Sequence, residues 1–193
     1  KAGTELTETM IEESMPDVVI VAIGADKAEC HAEGITTSIV CDAWQILNSE
    51  IKPGAHVLVV GGGLVGMETA DFLCDKGLKD VTLVEMLAKP PVSILSAHGV
   101  MLYRRLAAAG AKLMFNTTLE RIEEGSVTVS TEGKELKIEP LDQVIIAVGV
   151  TPRSDLKEFL TKKGIRHFIV GDADTPRRII EATETGATAA WQI

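Results

Sequence analysis

The chain has 193 residues, of which 46% are apolar and 24% are charged, so it is long enough for one or two folded α/β domains and is neither disordered nor fibrous in composition. Its formal net charge of -9 opposes binding to a polyanion, and we expect no nucleic acid partner. The mean hydropathy is +0.19, yet no apolar run approaches the roughly 18 to 20 residues that cross a bilayer, so we expect no membrane span.

The cysteine pattern bears on the cellular compartment of the protein, and the chain ends bear on its length. Cys30, Cys41 and Cys74 form no CxxC pair, and no secretory signal opens the sequence, so a reducing cytoplasm is expected. The chain begins at Lys1 instead of a methionine and ends at Ile193 inside a predicted helix. We therefore expect it to be part of a longer protein.

Buried strands and amphipathic helices alternate along the chain, which predicts a parallel sheet with helices on its faces. The first half is predicted to contain a helix at 7–15, a strand at 17–23, a short helix at 42–48, a strand at 56–60, a helix at 64–76, a strand at 81–84 and a helix at 97–109. The second half is predicted to contain a strand at 112–115, a β-meander of strands at 119–122, 126–130 and 135–138, a strand at 142–148, a helix at 154–163, a strand at 167–170 and a helix from 176 onward.

Two segments of the chain resemble each other, PDVVIVAIGAD at 16–26 and LDQVIIAVGVT at 141–151. Each joins an acidic residue to an apolar strand that ends at a glycine, Gly24 in the first and Gly149 in the second. Because the two segments bracket the middle of the chain, we predict a domain of residues 50–145 inserted into another domain made of 1–49 and 146–193.

The motif with the most specific chemistry is HVLVVGGGLVGMETADFL, in which Gly61, Gly63 and Gly66 form GxGxxG directly after a strand and at the start of a helix. The first glycine permits the tight turn, the second lets a pyrophosphate approach the backbone, and the third lets the helix pack on the strand. With Gly62 between them, these residues predict a dinucleotide site whose phosphates lie at a helix amino terminus.

Two acidic residues accompany the glycines. Glu85 ends the next strand, 19 residues beyond Gly66, where a carboxylate accepts hydrogen bonds from the adenosine ribose and repels a 2′-phosphate. The predicted cofactor is therefore NADH, the alternative being that Glu85 is a solvated strand-end acid. Glu68, on the helix, is predicted to lie near the nicotinamide half; alternatively it only interacts with the helix dipole.

A second site is predicted near the end of the chain, where Gly171 and Asp172 follow a strand and precede a helix. The acid can accept hydrogen bonds from a sugar-like chain, and the helix start can stabilise negative charge on a reduced ring. No metal site is predicted, because Cys30, His31 and Cys41 fit no familiar ligand spacing.

The order of DVVIVAIGA, GGGLVGMETA with its distal glutamate, DQVIIAVGVTPRSDL and VGDADTPRRIIEA resembles the flavoprotein reductases with two dinucleotide-binding domains, of the pyridine nucleotide-disulfide oxidoreductase-like fold. Within them it resembles the C-terminal part of the NADH:flavin oxidoreductases of the 2-enoate and 2,4-dienoyl-CoA reductase type. The resemblance implies a Rossmann-like, doubly wound parallel sheet with a β-meander, in which a NAD-binding domain is inserted into a partial FAD-binding domain.

The resemblance also implies which residues contact the cofactors. Gly171 and Asp172 would meet the ribityl and pyrophosphate region of FAD, and Gly24 and Gly149 would be strand-end glycines near the two cofactors. The fingerprint for the ADP half of FAD would precede Lys1, so we expect the FAD site to be incomplete here and this chain alone to be inactive. FMN and a 4Fe–4S cluster are implied only for N-terminal domains of the same polypeptide.

The expected function is a hydride relay from NADH to FAD, and from there to a second redox centre that reduces an enoate-type substrate. No acid, base or nucleophile is needed for this transfer, so no catalytic residue is predicted. Two alternatives are a non-catalytic module that binds ADP or NAD, and part of a disulfide reductase or NADH oxidase.

Overall fold

The computed structural model describes residues 2–153 and 155–193. The strands are β1 (Val19–Val21), β2 (Ala25–Lys27), β3 (Val40–Asp42), β4 (His56–Val60), β5 (Asp80–Val84), β6 (Lys112–Met114), β7 (Thr117–Glu123), β8 (Ser126–Thr131), β9 (Lys134–Ile138), β10 (Gln143–Ile146), β11 (Val150–Pro152) and β12 (His167–Ile169). The helices are α1 (Glu8–Ser14), α2 (Ala43–Leu47), α3 (Leu64–Asp75), α4 (Ala97–Ala109), α5 (Lys157–Lys162) and α6 (Ile179–Ala190).

The chain divides into two compact units. The smaller unit combines the residues up to Ala28 with those from Val150 onward, and the larger unit is the continuous segment 29–149. The sequence predicted boundaries at 49 and 145 instead. The boundary lies earlier because the segment before residue 50 joins the larger unit: β3 pairs in parallel with β10, and Glu33 bridges to Arg121 on β7.

The larger unit is built on a five-stranded parallel sheet in the order β3-β10-β4-β5-β6. Side chains alternate across it, as period-2 geometry requires. Val57 and Val59 of β4 pack with the core residues of α2, α3 and α4, whereas Leu58 and Val60 pack with those of the antiparallel sheet β7-β8-β9. The predicted Rossmann-like α/β fold with a β-meander is confirmed, and the meander, in place of helices, covers the second face of this sheet.

The smaller unit holds two short ladders. β1 pairs in parallel with β12, and β2 pairs antiparallel with β11. Ile11 of α1, Val21 of β1 and Leu160 of α5 form its buried core. A short 3₁₀ turn over Gly171–Ala173 follows β12 and leads toward α6, so the carboxyl end of the parallel pair faces the start of a helix.

Three strands were absent from the sequence prediction, namely β2, β3 and β11. Each has three residues and includes a polar side chain or a proline, so neither length nor alternation marks it. The helix predicted from Ser154 begins at Lys157 in the structure, and Ser154 itself lies outside the described residues.

A pair of glycines tests how the segment before β3 packs on the meander. Gly34 and Gly125 both have φ of +79°, but a Cβ on Gly34 would lie 2.1 Å from the carbonyl oxygen of Ile122, whereas one on Gly125 would meet no heavy atom within 4 Å. We expect Gly125→Ala to cost about 1 to 2 kcal/mol, the penalty for a left-handed L-residue. Gly34→Ala should cost about 3 kcal/mol or more, because overpacking adds to that penalty. Urea unfolding measures both, and equal costs would contradict this packing.

Candidate dinucleotide-binding site

The glycine loop joins the carboxyl end of β4 to the amino end of α3 in a space too narrow for side chains. Gly61 has φ of +111°, and a Cβ there would lie 2.4 Å from the carbonyl oxygen of Ala147. A Cβ on Gly66 would lie 1.8 Å from the carbonyl oxygen of Gly61. The packing of the protein therefore requires both glycines. Gly61 permits the turn, and Gly66 permits the close approach of α3.

Gly63, in contrast, is not required by the packing of the protein. It is the N-cap residue of α3 with an ordinary φ of -70°, and an added Cβ would meet no heavy atom within 4 Å. No side chain of the described residues caps this helix end. The fold does not need a glycine here, but the bare backbone and the uncapped N–H groups of the first turn leave a cradle that fits a pyrophosphate.

Glu85 is held against this loop. Its side chain is buried, with 7% of the residue exposed, and its two oxygens accept hydrogen bonds from the backbone N–H groups of Gly62 (2.6 Å) and Leu87 (2.8 Å). A Cβ on Gly62 would lie 2.9 Å from that of Glu85, so the close approach also requires a glycine. A carboxylate has about four acceptor positions, so it retains capacity for ribose hydroxyls. This burial does not match a solvated strand-end acid.

The loop lies where the direction of the chain changes in the sheet. From β4 the chain proceeds through α3 to β5 and through α4 to β6, whereas β10 and β3 lie on the other side of β4. Such a switch point, outside the carboxyl ends of parallel strands, is where open α/β sheets bind ligands. Gly61 follows β4 and Ala147 follows β10, so the narrow loop is at this point.

Glu68, predicted to lie near the nicotinamide, is paired with a residue that the sequence did not assign. Its Oε1 lies 2.9 Å from Nε2 of His98, the second residue of α4. One helical turn further on, Asp71 pairs with Arg105, so two polar contacts join α3 to α4. No spacing rule relates residues 30 positions apart on two helices, so the sequence alone does not indicate this pair.

The residues predicted to contact FAD lie in the smaller unit. Gly24, Gly171 and Asp172 line one pocket of about 320 Å³, together with Ala22, Val170, Arg177, Arg178, Ile179 and Ala182. Asp172 accepts a hydrogen bond from the backbone N–H of Arg177 (3.2 Å), and Arg178 pairs with Glu181 at the start of α6. An acid, two cations and a helix start fit a ligand with hydroxyl and phosphate groups.

Gly149, the remaining predicted site glycine, belongs to the larger unit and follows β10 with φ of +106°. It is a strand-end glycine, as expected. Its added Cβ would meet no heavy atom within 4 Å, so here the left-handed backbone, and not a lack of space, favours glycine.

The thiols of the chain are poorly suited to redox exchange. Burial raises the pKa of Cys41 to about 11 and also raises the pKa of Cys30 and of Cys74. Reactive cysteines have lowered pKa values, because the thiolate is the nucleophile. Within the described residues, no three His, Cys, Asp or Glu side chains form a group that could hold a metal ion, and no helix is long and apolar enough to cross a membrane.

Comparisons with known proteins agree with this geometry. Residues 5–179 match the family model described as pyridine nucleotide-disulphide oxidoreductase. The chain is 32% identical to an NADH oxidase of Thermoanaerobacter brockii (100% of this chain, 30% of that protein) and 34% identical to a bilirubin reductase of Mediterraneibacter gnavus (98% and 30%). It is similar to a solved 2-naphthoyl-CoA reductase, with a TM-score of 0.84 and 28% identity over 100% of this chain and 29% of that one. The chain thus spans about three-tenths of the length of these relatives.

The open space at Gly63 generates a binding prediction. Gly63→Val should weaken NADH binding at least tenfold while leaving the far-ultraviolet circular dichroism unchanged, because the side chain occupies only the space for the pyrophosphate. Calorimetric titration measures the affinity. Gly186→Val is the control, since Gly186 lies in the other unit and its Cβ would also meet no heavy atom within 4 Å. Unchanged affinity in Gly63→Val would show that the loop is only a turn.

Proposed function

Because the chain belongs to the pyridine nucleotide-disulphide oxidoreductase family, whose members bind FAD and a nicotinamide dinucleotide, we propose that it is the nucleotide-binding part of a flavoprotein oxidoreductase that uses NADH. The observation that carries this proposal is the glycine loop of 61–66 with Glu85 bonded to it. The larger unit thereby supplies a phosphate cradle and a ribose acceptor in one place.

In this proposal the residues of the chain bind the cofactors and orient them. The uncapped N–H groups at the start of α3 and the helix dipole stabilise the pyrophosphate, and Glu85 accepts from the adenosine ribose. When bound, FAD supplies the hydride acceptor for the reduced nicotinamide. The transfer requires alignment of two rings and no protein acid, base or nucleophile, which is why we assign no catalytic residue.

The choice of NADH over NADPH follows from the burial of Glu85. A buried carboxylate beside the ribose leaves its negative charge facing a 2′-phosphate, with little water to screen it. In the loop that follows, Lys89 is the cation in the segment Met86 to Val92, and no arginine is present to pair with the extra phosphate. Both features favour the unphosphorylated cofactor.

For the smaller unit we propose FAD as the ligand of the pocket around Gly24, Gly171 and Asp172. Asp172 would accept hydrogen bonds from the ribityl hydroxyls, and the start of α6 would stabilise negative charge on the cofactor. We propose that Gly149, which follows β10, lies near the dinucleotide of the larger unit. We further propose that this chain alone provides an incomplete FAD site and is inactive, and that N-terminal domains of the same polypeptide complete it.

We propose that the electrons pass from FAD to a second centre, FMN with a 4Fe–4S cluster, in the remainder of a longer protein that reduces an enoate-type substrate. Two observations support this. The relatives are more than three times as long as this chain, and those named above include reductases of bilirubin and of 2-naphthoyl-CoA.

A second candidate function is that of an NADH oxidase, favoured by the 32% identity to the enzyme of Thermoanaerobacter brockii. Oxygen consumption by the full-length protein separates the two: stoichiometric NADH and oxygen loss without an organic acceptor indicates an oxidase. NADH turnover that requires a conjugated enoate indicates a reductase. A disulfide reductase that uses the cysteines of this chain is disfavoured by their raised pKa values.

The role of Glu85 is tested by its cofactor preference. The wild-type chain should bind NADH at least tenfold more tightly than NADPH, because a lost charge-assisted hydrogen bond alone costs about 1.5 to 3 kcal/mol. Glu85→Ala should weaken NADH and narrow this gap, and Glu85→Arg should move the preference toward NADPH. Calorimetric titration with both cofactors measures the ratio.

The control is Glu135→Ala, which removes the same charge from the exposed strand β9 and should leave the ratio unchanged. Equal affinity of the wild type for the two cofactors, or an unchanged ratio in Glu85→Ala, would remove the support for NADH as the cofactor.

A further inference from the structure

We propose that the outward face of α6, together with Ile20 of β1, is the surface on which an α-helical segment from the N-terminal part of the same polypeptide docks. The inference rests on the proposed function, in which that part completes the FAD site, and it adds the surface and the kind of partner. The outward face consists of Ile179, Ile180, Thr183, Ala187, Ala190 and Trp191.

Helix α6 directs its largest apolar side chains away from its own unit. At about 3.6 residues per turn, the six residues of the outward face lie within an arc of about 120°, on the side opposite Ala189, which is the buried residue of this helix. Ile179, Ile180 and Trp191 are 87%, 66% and 86% exposed. A surface helix normally turns its apolar stripe to the core and its charges to water. The arrangement in α6 is the reverse, so the outward face is suited to a further layer of protein.

The polar groups of α6 do not oppose such a contact. The hydroxyl of Thr183 donates to the carbonyl of Ile179 (2.8 Å), so it is satisfied within the helix. The charged residues of α6 are Glu181, which pairs with Arg178, and Glu184, which lies at the edge of the outward face. A partner therefore needs apolar side chains here and no buried charge.

The sheet of the smaller unit has an exposed apolar side chain on the same side as α6. Val21 packs into the core with α1 and α5, so its neighbour Ile20 points to the other face of the sheet. Ala22, two residues beyond Ile20, lines a pocket with Ala182 of α6, which places the helix on that face. Ile20 is 44% exposed, although parallel strands are normally covered on both faces by helices. A helix beside α6 would cover it.

The size of the smaller unit favours the same polypeptide as the partner. Among the described residues its buried core cluster is Ile11, Val21 and Leu160, and its parallel sheet is the pair β1 and β12. Such a small core and sheet need further layers for stability. The relatives named above are more than three times as long as this chain and match all or nearly all of it. A second copy would cover α6 without enlarging the sheet or the core.

Ala187 and Thr188 form a matched pair of positions for the test. They are consecutive and both are exposed in this chain, but helical geometry places Ala187 in the outward face and Thr188 outside it. In the 193-residue chain, Ala187→Cys and Thr188→Cys should react with a maleimide at similar rates. In the full-length polypeptide, Ala187→Cys should react at least tenfold more slowly than Thr188→Cys, because the docked helix covers only the first. Mass spectrometry of the α6 peptide separates this labelling from that of the native cysteines.

A charged variant tests whether this contact supports the FAD site. Ala187→Glu should lower the affinity of the full-length apoprotein for FAD at least tenfold, because an unpaired carboxylate is costly in an apolar contact. Thr188→Glu adds the same charge outside the outward face and should change this affinity less than twofold. Quenching of flavin fluorescence on reconstitution measures both. The cysteine variants decide the question if Ala187→Glu does not fold.

Equal labelling rates of the two cysteine variants in the full-length polypeptide, or an FAD affinity that Ala187→Glu leaves unchanged, would overturn the inference. So would protection of Ala187→Cys in the 193-residue chain that increases with protein concentration and accompanies a dimer in sedimentation, because the partner would then be a second copy. A full-length wild-type polypeptide that binds no FAD would instead contradict the proposed function. The labelling rates can still be measured in that case, so the two failures are distinguishable.

Discussion

The narrow passage of the glycine loop between the ends of β5 and β10 is the constraint on which the site depends. The backbone N–H of Gly61 donates to the carbonyl of Val84 at the end of β5 (2.8 Å), while its α-carbon faces the carbonyl of Ala147 after β10. The loop is thus pinned on both sides by the sheet. Because Gly66 then packs on the carbonyl of Gly61, the direction of α3 is fixed as well, and the helix begins at the switch point of the sheet.

Glu85 extends this constraint from packing to electrostatics. A buried carboxylate is costly unless its oxygens are hydrogen-bonded, and here the N–H groups of Gly62 and Leu87 meet that requirement. The main chain of Glu85 is held too, since it donates to Met114 and accepts from Thr117. The residue proposed to select the cofactor therefore also orders the loop proposed to bind the phosphates. The proposed selection of the cofactor and the order of the loop thus depend on the same side chain.

Most of the fold was predictable where hydrophobic periodicity and helix ends agree. β4 and α4 have the predicted bounds, because one is a continuous apolar run and the other lies between a serine cap and Gly110 in the left-handed region. The larger compact unit begins at Glu29, before the predicted boundary at residue 49, because β3 has only three residues and pairs with the distant strand β10. The glycine spacing predicted the loop, but the burial of Glu85 and its bond to Gly62 depend on the approach of two strands.

The contact between Glu68 and His98 is another feature that the sequence pattern does not predict. Helical periodicity places Glu68 and Asp71 one turn apart on α3, but which side chains of α4 meet them depends on the crossing of the helices over the sheet. Local rules identify the elements and the backbone ligand site. The side-chain pairs between the two helices form only when the elements pack.

The net charge of -9 is compatible with a loop proposed to bind a dianion, because the net charge and the loop act over different distances. The net charge creates a repulsive field that salt screens within about 10 Å at 0.1 M ionic strength. The N–H groups of α3 act at hydrogen-bonding distance in a place shielded by the sheet ends, where the local dielectric is lower. A site made from backbone dipoles can therefore bind a phosphate without any lysine or arginine in the loop. The side-chain charge at the loop is then that of Glu85, which accepts a hydrogen bond from the backbone N–H of Gly62, and the backbone is left to hold the phosphates.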